Sequence, residues 1–427
     1  MIDIKLMREN PEAVRETMRK KFQEGKLHLV DKALMLDEEW RGLKGTGDRL
    51  RAERNKVSMA INEAKKAGKD ASKLMEQAKD IPRQLAALEE RDRQLQAEIR
   101  EIMGKIPNFL HPSVPIGRDD SENVDKKHIG EPAKIDFEPK NHVELAESLG
   151  IVDFESSRKT SGAGFYYLQG KLALLNQALL RFAIDKMVSK GFTYVETPLM
   201  LNRDVITNVA DLNDMNNQIY KVQNEELYLI GTSEHSLIGR YIGGCVEEKD
   251  LPVKHTSYSM CFRKEIGSHG IEEKGLYRTH QFNKIEMIIL CKPSESMKLF
   301  ETLKEITIEI FSDLEIPVRV LEICSGDLGD LKHCQVDIEA WSPTRKTYYE
   351  VGSCSNLTDA QARRLGIKYV NKQGERSFVH TLNNTAIATS RGLVAVLENH
   401  QQKDGSIKVP KALWPYTGFK EIKKGAN

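Results

Sequence analysis

Two stretches of this chain repeat seam residues in alternating steps of four and three, and that repeat constrains the fold more than any other feature. Leu36, Trp40, Leu43, Gly47, Leu50, Arg54, Val57, Ile61 and Ala64 hold it in the first stretch. Leu74, Ala78, Ile81, Leu85, Leu88, Asp92, Leu95, Ile99, Ile102 and Ile106 hold it in the second. Such heptads form the seam of a coiled coil. Only Ala67-Gly68-Lys69-Asp70 separates the runs, and so short a break predicts an antiparallel helical hairpin over about residues 30 to 105. Each helix would run ~50 Å at ~1.5 Å per residue. Pro82 removes a backbone donor inside the second helix and predicts a kink or a restart there. Gly45 and Gly47 weaken the first helix near its base.

The grammar changes beyond the arm. Residues about 107 to 140 carry Pro107, Pro112, Pro115, Pro132 and Pro139 and read as a linker between an N-terminal domain (1–106) and a second domain (141–427). From about 141 onward helices alternate with strands without a sustained parallel repeat. That pattern predicts an α+β domain on an antiparallel sheet flanked by helices. No phosphate-loop signature occurs, and Gly162-Ala163-Gly164-Phe165-Tyr166-Tyr167 lacks the third glycine of a dinucleotide fingerprint.

Within this half, Cys261 to Glu286 reads as two strand-like arms around a polar loop bearing Gly267, Gly270 and Gly275, a hairpin signal. By the two-residue period Arg278, His280, Phe282, Lys284 and Glu286 share one face of the second arm, with Arg263 and Glu265 on the first. So many charges on one face require solvent or a charged ligand. An aromatic ring among them suits a nucleotide, the ring stacking on the base and the arginines meeting phosphate.

Phe262-Arg263-Lys264-Glu265, with Gly275-Leu276-Tyr277-Arg278-Thr279-His280-Gln281-Phe282-Asn283-Lys284-Ile285-Glu286, resembles motif 2 of the class II aminoacyl-tRNA synthetases, and in its wording the seryl family among them. The helical stretch Leu172 to Met187, with the strand from Gly191 to Met200 and its Pro198, resembles motif 1, the family's dimer element. Gly231-Thr232-Ser233-Glu234-His235 reads by itself as a helix cap; the resemblance assigns Thr232 and Glu234 to a loop over the bound amino acid. Tyr348 to Asn356 is similar to the family's Glu-x-x-Ser-Cys-Ser-Asn segment, which Asp359-Ala360-Gln361-Ala362-Arg363-Arg364 continues. Thr381 to Ala386 and Ser390 to Asn399 resemble motif 3. Asn384 and Ser390 stand where many bacterial seryl enzymes have glycine, which leaves the backbone approach at residue 384 open.

The resemblance implies ATP-dependent activation of L-serine and transfer of the seryl group to tRNA(Ser), with tRNA(Sec) as a second acceptor. In its terms Arg263 meets the α-phosphate and the serine carboxylate, Arg391 meets the γ-phosphate, and Glu350 with Ser353 holds Mg²⁺. Lys264, Glu265, Thr279, Phe282, Val351 and Gly352 complete the ATP site. Thr232, Glu234, Glu286, Asn383 and Thr385 surround the serine. The arm and the motif 2 loop contact tRNA, and motif 1 builds a homodimer.

Composition fits without deciding. The formal net charge is +1 over 427 residues, so a nucleic-acid site must be local. Lys65, Lys66, Lys69 and Lys73 near the arm's turn, and Arg49, Arg51, Arg54 and Lys56 along its first helix, supply one. The six cysteines form no Cys-x-x-Cys, which predicts buried free thiols rather than a metal or disulfide framework. No signal-peptide core or membrane-spanning run is seen, and the expectation is a cytosolic protein. Two other functions remain in view: a synthetase-like protein that loads a carrier, and a coiled-coil interaction protein.

Overall fold

The structure is a computed structural model and describes residues 1–210, 218–265 and 275–425. It divides into two compact units, Met1–Phe109 and Leu110–Asn427.

In the first unit short helices Ile4–Glu9 and Pro11–Lys20 precede the arm helices His28–Lys66 and Ser72–Gly104. Asn10 caps the second of these by accepting from the Ala13 amide, with Pro11 opening the helix. The heptad seam lies where the repeat places it. Val57, Ile81 and Leu85 are buried in mid-arm, and Leu36, Leu95 and Ile102 join Met7, Met18 and Val30 in a core at the base. Arg54 departs from the pattern and is exposed. Asp92 keeps its seam position through a 2.8 Å bond from Trp40 Nε1 and an ion pair with Lys44.

Pro82 does not restart the second helix, which runs continuously from Ser72 to Gly104. Its ring forfeits one hydrogen bond, while Ile81 and Leu85 beside it stay packed in the seam. Gly45 and Gly47 likewise interrupt nothing.

The second unit is built on an eight-stranded sheet. In spatial order its strands are Val124–Ile129, Val318–Glu322, Cys334–Ser342, Thr347–Asn356, His380–Ala388, Gln281–Cys291, Val253–Phe262 and Thr193–Tyr194. Neighbours are antiparallel except the last pair. Helices Gly170–Ser189, Ser296–Asp313 and Thr389–Asn399 cover one face, with Leu175, Leu179, Phe311, Leu393 and Leu397 in the core. Ile285, Met287 and Ile289 join that core, whereas Ile288 and Leu290 point the other way into a smaller one with Ile206, Leu237 and Ile367. Both faces of this central strand are therefore covered.

One reading of the sequence is refined here. The units divide after Phe109, inside the stretch read as linker. Part of the stretch read as linker, Val124–Ile129, is an edge strand paired with Val318–Glu322; its mostly exposed, charged residues gave no period-two burial signal. Five cysteines are buried free thiols as expected, but Cys245 is exposed. Among the described residues no helix is long and apolar enough to cross a membrane.

Candidate active site

The hairpin read from residues 261 to 286 consists of Val253–Phe262 and Gln281–Cys291, closed by the pairs Cys261 with Phe282 and Phe262 with Gln281. Gly267 and Gly270 lie outside the described residues. Because the second strand begins only at Gln281, strict alternation does not reach back to Arg278. Phe282, Lys284 and Glu286 line a cavity of about 500 Å³, together with Arg278 and Thr279 from the turn. His280 does not line it. Its ring packs 5.2 Å from Phe165, and Nδ1 lies 3.0 Å from the Arg263 carbonyl oxygen and 3.2 Å from the Tyr220 hydroxyl.

Two bulges bring the remaining strands to the same cavity. On Thr347–Asn356, Glu350 pairs with Glu339 but Gly352 pairs with Ile338, so Val351 is an extra residue. In a regular strand Glu350 and Ser353 would face opposite sides; the bulge reverses the parity and both face the cavity. On His380–Ala388, Thr385 pairs with Glu286 but Ile387 with Ile285, making Ala386 extra. Asn383 and Thr385 face the cavity, and after the bulge Ala388 does so as well. Asn384 points away, its amide donating to the Leu303 carbonyl and Thr307 Oγ1. The position left open by the sequence is thus a packed core site against the Ser296–Asp313 helix.

Of the residues singled out from sequence, Thr232, Glu234, Arg263, Glu265, Thr279, Phe282, Glu286, Glu350, Val351, Ser353, Asn383, Thr385 and Arg391 all line this one cavity. Lys264 and Gly352 do not line it. The Lys264 amide binds the Gln218 carbonyl, and a Cβ on Gly352 would sit 3.0 Å from Thr307 on the helix-covered side.

Three guanidinium groups, Arg263, Arg278 and Arg391, line the cavity with two carboxylates, Glu265 and Glu350. Arg391 pairs with the Glu350 carboxylate at 3.1 Å, donates to the Glu350 carbonyl at 2.9 Å, and lies 5.1 Å over the Tyr277 ring. Burial opposes ionisation of Glu350, but the Arg391 guanidinium outweighs it and holds the carboxyl below its ordinary range. Arg263 donates through Nε to the Gly231 carbonyl and lies over Phe282 at 5.3 Å. Beside it Glu265 takes a left-handed backbone, φ 49°, and pairs with Arg278 at 3.5 Å. A non-glycine residue in that region signals a shape held by its surroundings.

A second group of lining residues is polar and closely joined. Lys284 and Glu286 form an almost fully buried pair at 2.5 Å, and Lys284 also reaches Thr232 Oγ1 at 3.3 Å. Thr232 caps the Ser233–Gly239 helix, accepting from the Glu234 amide, so it is both cap and cavity wall. Burial, then the nearby Glu286 charge, raises Glu234 to about 7. Burial, then Arg263, drives His235 down to about 3, leaving a neutral ring on the cavity wall. Neither ring nor carboxylate is placed as an attacking nucleophile by a neighbouring base. Such a cavity binds, orients and neutralises charge.

The family description "tRNA synthetase class II core domain (G, H, P, S and T)" matches residues 219–400, and "Seryl-tRNA synthetase N-terminal domain" matches residues 1–110. A serine--tRNA ligase of Methanospirillum hungatei is 47% identical over 424 residues, covering 99% of this chain and 100% of that protein. The chain belongs to the seryl-tRNA synthetase family. The seryl-tRNA synthetase of Pyrococcus horikoshii, solved in complex with ATP, matches with TM-score 0.94 and 42% identity, covering 99% of this chain and 100% of that one. The cytoplasmic serine-tRNA ligase of Naegleria fowleri, solved with AMP, matches with TM-score 0.89 and 31% identity over 100% and 99%.

Sequence reasoning missed several residues of this seryl-tRNA synthetase cavity. Lys332 and Gln335, joined at 2.6 Å, enter it from the start of the Cys334–Ser342 strand, and Ser355 from the next. No motif marks Lys332 or Gln335. Ser355 could have been found, since it follows Ser353 at the strand period within a segment already singled out. Asp337 pairs with Ser353 across the ladder; burial and the Glu350 charge raise it to about 7.

Proposed function

We propose that this chain activates L-serine with ATP and then esterifies tRNA(Ser). A serine carboxylate oxygen attacks the α-phosphorus, the bond to pyrophosphate breaks, and seryl-adenylate forms. A terminal ribose hydroxyl of the tRNA then attacks the seryl carbonyl and AMP leaves. One observation carries this reading: Arg263 just past the Val253–Phe262 strand, Glu350 on the Thr347–Asn356 strand and Arg391 on the Thr389–Asn399 helix line the same cavity as Thr232, Glu234 and Glu286. The guanidinium groups suit a triphosphate, and the polar set around Thr232, Lys284 and Glu286 suits a small zwitterion.

Arg263 bridges the α-phosphate and the serine carboxylate, which brings the reacting atoms together and spreads the charge of the phosphoryl group in transfer. Arg391 takes the γ-phosphate. Phe282 stacks on adenine, with Glu265 and Thr279 at the purine edge and Val351 beside the phosphates. Glu234 holds the ammonium group, while Glu286, Asn383 and Thr385 surround the side chain. Glu350 and Ser353, brought to one face by the Val351 bulge, are hard oxygen donors of the kind Mg²⁺ takes when phosphates and water complete its shell. Bound there, the ion would neutralise phosphate charge. Lys264 and Gly352 stand off the cavity wall.

Exposed Lys65, Lys66, Lys69 and Lys73 at the arm's tip support it as the tRNA contact. Leu174 and Val188, about half exposed on the Gly170–Ser189 helix, support a homodimer built by that element. Resemblance alone supports tRNA(Sec) as a second acceptor and the cytosol as location. An interaction protein would have no use for this cavity, and a carrier-loading enzyme none for the arm.

ATP–pyrophosphate exchange across a panel of amino acids tests the reading. Serine should support exchange, and alanine should trail by ~10⁴, because a site that hydrogen-bonds a hydroxyl leaves buried groups unpaired without it. Equal rates with serine and alanine would sink it.

A further inference from the structure

We infer that Gln361 is a positioning residue for amino-acid binding: its amide holds the Glu234 carboxylate in the orientation that receives the ammonium group. This rests on the reading of Glu234 given above. Gln361 is fully buried on the short helix Ala360–Leu365 and does not line the cavity, so it acts through Glu234 rather than on substrate. Its Nε2 donates to Glu234 Oε1 at 3.1 Å and to the Val209 carbonyl oxygen at 2.9 Å.

Those two acceptors together fix the amide. A carbonyl and a carboxylate can both be served only by the NH₂ group, so the assignment of nitrogen and oxygen follows from the network. The fixed Val209 carbonyl acts as the lock. Turning the amide so that its oxygen accepted a proton from a neutral Glu234 would break the Val209 bond. The amide therefore presents donors to Glu234 and favours the ionised carboxylate. The same helix reaches the chain beside Val209 again, through Arg364 to the Ala210 carbonyl at 3.4 Å.

The groups facing Glu234 pull in both directions. Burial and Glu286 oppose its charge; Gln361, Lys284 and Lys332 support it. His235, its helix neighbour, is neutral. Gln361 is the member of this set that donates a hydrogen bond to Glu234 and stands outside the cavity wall.

The test is serine-dependent pyrophosphate exchange by full-length Gln361→Met across a pH series. The serine KM should rise about tenfold, the loss expected for a hydrogen bond to a charged group, while kcat and the ATP KM stay within about twofold. The serine KM should also start to climb at a higher pH than in the wild type as the medium is acidified. Wild-type serine KM and pH profile, or equal rises for serine and ATP, would overturn the inference. Glu234→Gln is measured alongside. If it leaves serine KM unchanged, the ammonium role of Glu234 falls and the inference with it. If it raises serine KM and Gln361→Met does not, only the positioning role falls. Should Gln361→Met fail to fold, Gln361→Glu keeps the volume and sets a second carboxyl against Glu234. It should shift the pH profile further, and an unshifted profile overturns the inference.

Discussion

In the arm, Trp40 meets Asp92 and Val57 packs with Ile81, partners joined by one short turn. In the sheet, Val124 pairs with Glu322, and Thr385 with Glu286, so contacts close across long stretches of chain. The arm is thus specified by a local repeat and the cavity by non-local pairing, which folds more slowly because loop entropy must be met first. They differ in depth as well. Mid-arm, Val57, Ile81 and Leu85 are the buried residues, whereas the sheet's core includes fully buried Phe311, Leu175, Leu179 and Ile338. A thin local seam opens independently of a thick non-local core, which suits an arm that grips and a cavity that must hold geometry.

The comparison breaks first if chemistry does not live in the sheet. Arg263→Ala should lower pyrophosphate exchange by ~10³ or more without moving the thermal melt; exchange near the wild-type rate would remove the arginine from the mechanism. Next, replacing residues 47–88 by a tight turn leaves the base core around Leu36 and Leu95 in place. Serine activation should persist within about twofold, while tRNA charging falls roughly a hundredfold as phosphate contacts disappear. Unimpaired charging would show the arm to be dispensable.

Leu85→Ala sharpens the difference in depth. It should cost the arm about 2–3 kcal/mol and speed amide exchange along both arm helices, leaving the amides of Gln281–Cys291 protected. Faster exchange in that strand would mean the two regions open together. The smallest effect is one of pH. Glu234 titrates at about 7, above its usual value, so its ionisation in the folded state is a destabilising contribution. That contribution grows as pH rises from the unfolded value of 4.5 to about 7, levels off above that, and vanishes below 4.5. Acidification from about 7 towards 4.5 should therefore raise the melting temperature slightly while weakening serine binding. The two readouts moving in the same direction would contradict it.

The arm was legible residue by residue because a seven-residue period is written in consecutive sequence. Arg54 misled, since its place in the repeat did not bury it. At Pro82 the helix does not restart, because seam packing on either side outweighs one lost hydrogen bond. The cavity was legible where a long motif fixed it, as at Phe282, Lys284 and Glu286. It was illegible where geometry depends on a neighbour strand. The Val351 and Ala386 bulges exist only in the pairing, and without them simple alternation would put Glu350 and Ser353 on opposite sides. His280 turned aside because the strand starts one residue later, at Gln281. Lys332 and Gln335 carry no signature at all; only the fold brings them in.

The Trp40–Asp92 bond gives the arm a calibrated length. Heptads are degenerate: if residues at the turn unwound, one helix could re-pair seven residues out of register and still mesh its apolar teeth, shifting the two by ~10 Å at ~1.5 Å per residue. A slipped pair would strand a carboxylate among hydrocarbon and leave an indole N–H unsatisfied. One polar pin therefore turns a flexible-looking rod into a ruler with a single reading.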